Sequence, residues 1–118
     1  MKKIVILDDS EIIRGIVAVV LGAQGYAVVG IDAPTDLATT VERDDPDLVL
    51  LDLTLPKMQS DGLVALARAS SAKKCPIILF SDRPDAELAI RTAASGATRY
   101  LRKGDPTVLA RHVKRLLG

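Results

Sequence analysis

At 118 residues, with 48% hydrophobic and only 3% aromatic residues, the chain is long enough for one domain with an aliphatic core and too apolar for a disordered tail. It has no apolar run of membrane-spanning length, and the apolar stretch of MKKIVILDD is short and ends in two acids, unlike a signal peptide; a soluble, cytoplasmic protein is expected. The net charge of +1 is unevenly spread, with 5 Lys/Arg against 11 Asp/Glu in residues 1–62 and 11 against 4 in residues 63–118; lacking a dense basic run and stacking aromatics, this polarity suits a protein partner rather than nucleic acid.

In chain order, Lys3–Leu7 (KIVIL) is a β-branched run that predicts a strand. Asp8, Asp9 and Ser10 follow, then a helical pattern with Ile12, Ile13, Ile16, Val17, Val20 and Leu21 on one face, Ser10 as N-cap and Gly22 or Gly25 as its end. Tyr26–Ile31 predicts a second strand, Pro34 to Arg43 a second helix with Leu37, Ala38 and Val41 inward, and Leu48–Leu53 a third strand. A third helix is expected from Asp61 to Ala72, with Leu63, Leu66 and Ala67 inward, and a fourth strand at Pro76–Phe80. The fourth helix runs from Pro84 to Ser95 and stops at Gly96, the fifth strand covers Thr98–Leu101, and Pro106 opens a fifth helix carrying Val108, Leu109, Val113, Leu116 and Leu117. Cys75, the only cysteine, cannot form an intrachain disulfide and reads as a small apolar residue opening the fourth strand.

Continuous aliphatic strands, each followed by a helix, predict an α/β fold with a parallel sheet covered on both faces, whose ligands sit at the carboxyl ends of the strands. Asp8 and Asp9 end the first strand, Asp52 the third and Ser81 the fourth, and Lys103 follows the fifth, so all five share one sheet edge. Asp52 stands out: in PDLVLLDLTLP a carboxylate sits inside an aliphatic run, where burial is costly. Three acids together need a cation to stay ionised, and Mg²⁺ suits a few carboxylates plus phosphate oxygens. Such a site can take a phosphoryl group on one carboxylate, with lysine and hydroxyl on its oxygens. Taken singly, Asp8 and Asp9 also read as caps of the first helix, Ser81 as a turn residue and Lys103 as a solvated lysine.

The motifs ILDDSEIIR, DLVLLDLTLPKM, IILFSD and GATRYLRK, in this order, make the chain resemble the receiver domain of bacterial two-component response regulators over nearly its whole length. The resemblance implies one receiver domain over residues 1–118, with a doubly wound, flavodoxin-like sheet of strand order 2-1-3-4-5. It implies Asp52 as phosphoacceptor, Mg²⁺ held by Asp9, Asp52 and the Thr54 carbonyl with Asp8 acting through water, and Lys103 on the phosphoryl group. Ser81 and Tyr100 would be the switch residues. The partners implied are a sensor histidine kinase or phosphotransfer protein, and an output protein meeting the fourth helix, fifth strand and fifth helix.

Four positions depart from the family pattern. QSDG places Gly62 two positions late, Asp82 stands where a small residue usually follows the switch hydroxyl, Gly104 replaces the usual cis-proline, and Thr98 and Arg99 replace frequent acids before the switch tyrosine. Asp82 reads either as a cap of the fourth helix or as a like charge opposing the phosphoryl group. The competing functions are a degenerate receiver that binds a partner without phosphorylation, and a small flavodoxin-like binding domain or aspartate-nucleophile phosphatase; the Walker lysine motif is absent. The chain ends after the fifth helix, which fits both a stand-alone receiver and a piece of a longer protein.

Overall fold

A computed structural model describes residues 1–52 and 60–118. Among these residues strands and helices alternate: β1 (Lys3–Leu7), α1 (Glu11–Ala23), β2 (Ala27–Ile31), α2 (Leu37–Asp44), β3 (Leu48–Asp52), α3 (Ser60–Ser70), β4 (Ile77–Ser81), α4 (Asp85–Ser95), β5 (Arg99–Arg102) and α5 (Pro106–Leu117). All strand pairs are parallel, and the order is β2-β1-β3-β4-β5, as expected. The order reverses between β1 and β3, so the crevice beyond their carboxyl ends is where a ligand site belongs.

Alternation along the strands divides the core. Ile4, Ile6, Leu48, Leu50, Ile78 and Phe80 face α1 and α5, where Val17, Leu21, Leu109 and Val113 cover them. Val5, Leu7, Val49, Leu51, Ile77 and Leu79 form the opposite layer with Leu37, Val41, Leu63, Val64 and Ala67. β1, β3 and β4 are buried on both faces, which is why they read as unbroken aliphatic runs.

Helix boundaries follow local chemistry. Ser10 caps α1 by accepting the Ile13 N–H, and α1 ends one residue before Gln24, followed by Gly25 in the left-handed region (φ 93°). Pro34 opens a short 3-10 turn, Pro34–Asp36, and the α-helix proper begins only at Leu37. Gly96 (φ 79°) stops α4 as expected. Several inward assignments need correction. Ile12 and Ile16 are exposed although their spacing suggested the core, and Leu66 is exposed while Val64 is buried. Ala38 is only half-buried, whereas Thr40 is buried. In α1 the apolar arc is wider than the strip that is covered, whereas in α2 and α3 the buried strip is turned toward Thr40 and Val64. Cys75 is buried just ahead of β4, and burial pushes its thiol up, as suits an inert packing residue.

Asp47 fastens the entry of β3 to β1: its Oδ2 accepts the Lys3 N–H at 2.8 Å and its Oδ1 meets the Lys73 ammonium at 3.1 Å. The Lys3 N–H, helped by Lys73 and opposed by partial burial, holds this carboxyl below its ordinary range. A depressed carboxyl contributes stability above its unfolded value, near 3.9, and loses it as pH falls through the folded value. Asp47→Asn is expected to cost about 1 kcal/mol at pH 7. It should also flatten the decline in stability below about pH 4. Urea unfolding from pH 7 to 3 measures both; parallel pH profiles for the two proteins would remove Asp47 from the acid limb.

Candidate functional site

The sheet edge gathers the acids as the strand reading required. Asp8 leaves β1 with its N–H bonded to the Ile31 carbonyl at 3.1 Å, and its Oδ1 accepts the Ser10 N–H at 2.9 Å. Asp52 closes β3 opposite Phe80 of β4. Asp8 and Asp52 are buried, Asp9 is exposed, and one oxygen from each of the three lies within 4.8 Å of the others. The capping alternative for Asp8 and Asp9 is thereby corrected, since Ser10 supplies the cap and leaves both carboxylates at the site.

Lys103 completes the cluster. Its backbone N–H donates to the Ser81 carbonyl at 2.7 Å, which fixes the turn after β5 against the end of β4. Its ammonium sits 2.7 Å from Asp8 Oδ2 and 3.2 Å from Asp52 Oδ1, and 5.5 Å from the centre of the Phe80 ring. It is not a solvated lysine, because its side chain is only 14% exposed. Burial pushes the Asp8 carboxyl up; Lys103 and the Ser10 N–H oppose that rise, and the Asp52 charge adds to it. Burial pulls Lys103 down, but its contacts with Asp8 and Asp52 prevail and hold the ammonium above its ordinary value.

Three clustered carboxylates against one ammonium leave an excess of negative charge, and two of those carboxylates are buried. A hard divalent cation with oxygen preference fits that donor set. The Thr54 carbonyl, named for the same ion, lies outside the described residues, as does most of the stretch from Asp52 to the late Gly62.

Ser81 is buried at the end of β4, and its Oγ accepts the Arg83 N–H at 3.1 Å, so the turn-residue reading also holds. Tyr100 is half-buried on β5 and packs against the α2–α3 layer beside Leu79. The capping reading of Asp82 is overturned: α4 begins at Asp85 behind Pro84, and the exposed Asp82 makes no side-chain cap to it. Ser81 takes the amide that organises this turn. No described residue has a cis peptide bond, so Gly104 follows Lys103 in trans.

Three contributors escaped the sequence reading. Arg14 donates to the Asp8 carbonyl at 2.6 Å, fixing the acidic turn from below. Gly30 makes room for it, since a Cβ there would stand 3.2 Å from Arg14 Cδ. The signals were a lone cation on an otherwise apolar helix and a glycine inside a strand. Phe80, read only as the end of the fourth strand, lies beneath the Lys103 ammonium.

Comparison with known proteins agrees with this geometry. Residues 4–114 match the family described as the response regulator receiver domain. The chain is 31% identical over 110 residues to a protein-glutamate methylesterase/protein-glutamine glutaminase of Nitrobacter winogradskyi, covering 89% of this chain and 25% of that protein. It is 33% identical over 101 residues to the transcriptional regulatory protein KdpE of Staphylococcus aureus, covering 86% of this chain and 43% of that one. The chain thus spans less than half the length of these curated relatives. Among solved structures, Vibrio cholerae chemotaxis protein CheY4 superposes with a TM-score of 0.87 at 28% identity, covering 99% of both chains. The BeF3-activated N-terminal receiver domain of Klebsiella pneumoniae RstA gives 0.84 at 27%, covering 98% of both. The clustered acids and the sheet that aligns them are consistent with a two-component phosphorelay receiver, and the chain belongs to the response regulator receiver family.

Proposed function

We propose that residues 1–118 act as one cytoplasmic receiver domain that takes a phosphoryl group onto Asp52 from a sensor histidine kinase or phosphotransfer protein. The observation that carries this reading is the Lys103 ammonium lying between the buried carboxylates of Asp8 and Asp52, with Asp9 alongside. The domain modifies itself and turns over no separate substrate. An Asp52 oxygen forms the bond to phosphorus while the bond from phosphorus to the donor nitrogen breaks, its electron pair leaving with the imidazole. Lys103 would transfer its contact from Asp52 to a phosphoryl oxygen, and the Ser81 hydroxyl would bind another. Asp9, Asp52 and the Thr54 carbonyl would hold Mg²⁺, with Asp8 reaching it through water. The bound ion would neutralise charge on the phosphoryl oxygens.

The switch would run from Ser81 through Tyr100 to the face made by α4, β5 and α5. α4 suits such a role because Leu88 is its one buried side chain, which leaves it weakly anchored. The face is basic: Arg91, Arg99, Arg111 and Arg115 are exposed, and Arg102 has only a 3.9 Å contact with Asp85. An acidic surface of an output protein would complement it. No described helix is long and apolar enough to cross a membrane.

The test is intact mass after incubation with acetyl phosphate and Mg²⁺. One added phosphoryl mass, lost with EDTA present and released by hydroxylamine as an acyl phosphate, is expected. A chain that stays unlabelled and also ignores fluoroberyllate would instead act as a phosphorylation-independent binding module.

A further inference from the structure

Asp9 reaches the acidic cluster without a fastening of its own. Its carboxylate is exposed and, among the described residues, joins no hydrogen bond or ion pair. Asp8, by contrast, is held by the Ser10 N–H and the Lys103 ammonium. Where the Asp9 carboxylate points is therefore set by the backbone, and first by the peptide that joins it to Asp8. Arg14 binds the oxygen of that peptide, donating to the Asp8 carbonyl at 2.6 Å, while the Ile31 carbonyl takes the Asp8 N–H at 3.1 Å. With Asp8 held at both its N–H and its carbonyl, the planar unit between the two acids has little freedom to turn.

Arg14 occupies an unfavourable place to make this bond. It is the one cation of α1 and stands just behind the Ser10 cap, near the end where the helix dipole disfavours positive charge. No ion pair among the described residues joins it to a carboxylate, although three carboxylates cluster beside that turn. Helical side chains lean toward the amino end, and the Arg14 stem lies along β2 where Gly30 has no side chain. A Cβ at Gly30 would stand 3.2 Å from Arg14 Cδ, 3.6 Å from its Cβ and 3.7 Å from its Cγ.

We infer that Arg14 is a positioning residue for the divalent ion, an inference that rests on the reading of these acids as a Mg²⁺ site. By holding the Asp8–Asp9 peptide it keeps the exposed Asp9 carboxylate beside Asp8 and Asp52, and so raises the affinity of the cluster. Charge and position act in opposite directions here. Removing a nearby positive charge would by itself tighten the binding of a cation. Removing the hold on the peptide frees Asp9, which must then be ordered again when the ion binds. Partners that orient metal ligands are worth about 10–100-fold in affinity, so position outweighs the charge of one exposed-side guanidinium.

Titration of the whole chain with Mg²⁺, followed by backbone amide shifts, tests this. Arg14→Ala should bind Mg²⁺ at least about tenfold more weakly than the native chain. Gly30→Val crowds the same stem and leaves every charge in place. It should weaken binding severalfold in the native chain and add nothing in the Arg14→Ala chain, since both changes act through one bond. Alanine suits a helix and Gly30 is exposed on an edge strand, so both variants should fold, as far-UV circular dichroism checks. A lower urea midpoint for Arg14→Ala with native Mg²⁺ affinity would make Arg14 a strut and overturn the inference alone. Tighter Mg²⁺ binding by Arg14→Ala would make it a competing charge, and additive losses in the double variant would separate Gly30 from Arg14; either overturns the inference as well. A native chain with no saturable response to Mg²⁺ overturns the metal reading and this inference together.

Discussion

Asp52→Asn is expected to abolish labelling by acetyl phosphate while leaving the fold intact or slightly more stable. The carboxylate supplies the electron pair that attacks phosphorus, and the amide that replaces it is a poor nucleophile of nearly the same shape. The stability expectation comes from charge. Asp8, Asp52 and Lys103 bring two negative charges and one positive into a buried site, and Asp52 adds to the rise of the Asp8 carboxyl. Without the Asp52 charge, Lys103 and Asp8 remain as a balanced pair 2.7 Å apart. Lost repulsion and desolvation outweigh the lost 3.2 Å contact, for a gain of up to about 1 kcal/mol in metal-free buffer. Intact mass reads the first effect and urea unfolding in EDTA the second. Equal labelling of the variant would sink Asp52 as the acceptor. A loss of several kcal/mol would show that its carboxylate is structural.

The fold was legible because its main signals are local and repeated. Three strands buried on both faces have few residue types to draw on, so β1, β3 and β4 appear as plain aliphatic runs between turns. Ser10, Gly96 and Pro106 mark helix ends through chemistry that needs no tertiary context. What a sequence cannot supply is how much of an apolar face finds a neighbour. The periodicity of α1 includes Ile12 and Ile16 with Val17 and Leu21, yet only the latter two reach the sheet. The width of the covering layer decides this, and it depends on where α5 comes to rest.

The site was legible in its members but not in their relations. Strand ends placed Asp8, Asp9, Asp52, Ser81 and Lys103 on one edge, because a parallel sheet aligns all its carboxyl ends. That Asp8 is buried while its neighbour Asp9 is exposed follows from the turn that Ser10 and Arg14 impose. Asp82 misled because aspartate before a proline-containing turn is a common helix-start signal. The competing acceptor, the Ser81 hydroxyl one residue earlier, took the Arg83 amide instead.

Lys103→Ala should separate a structural lysine from a functional one through its response to Mg²⁺. The ammonium touches two fully buried carboxylates, so deleting it removes a positive charge that both of them share. Breaking a buried pair in this way costs about 3–5 kcal/mol when the remaining charge cannot escape. Here it has partial escape, because Asp8 is already pushed up by burial and can take a proton more readily once Lys103 is gone. A loss of about 2–3 kcal/mol in EDTA at pH 7 is therefore expected. A divalent ion bound by the same acids would replace the missing positive charge, and it would no longer compete with an ammonium for Asp8 and Asp52. The variant should bind Mg²⁺ more tightly than the native chain, and saturating Mg²⁺ should recover most of the lost stability by linkage. Phosphoryl labelling should nevertheless slow by about 10²–10³-fold, because a charged donor to the transferring group has been removed. Urea unfolding with and without 10 mM Mg²⁺, beside a labelling time course, measures all three. A stability loss that Mg²⁺ does not restore would make Lys103 a structural strut. Restored stability with unchanged labelling would remove it from the phosphoryl site.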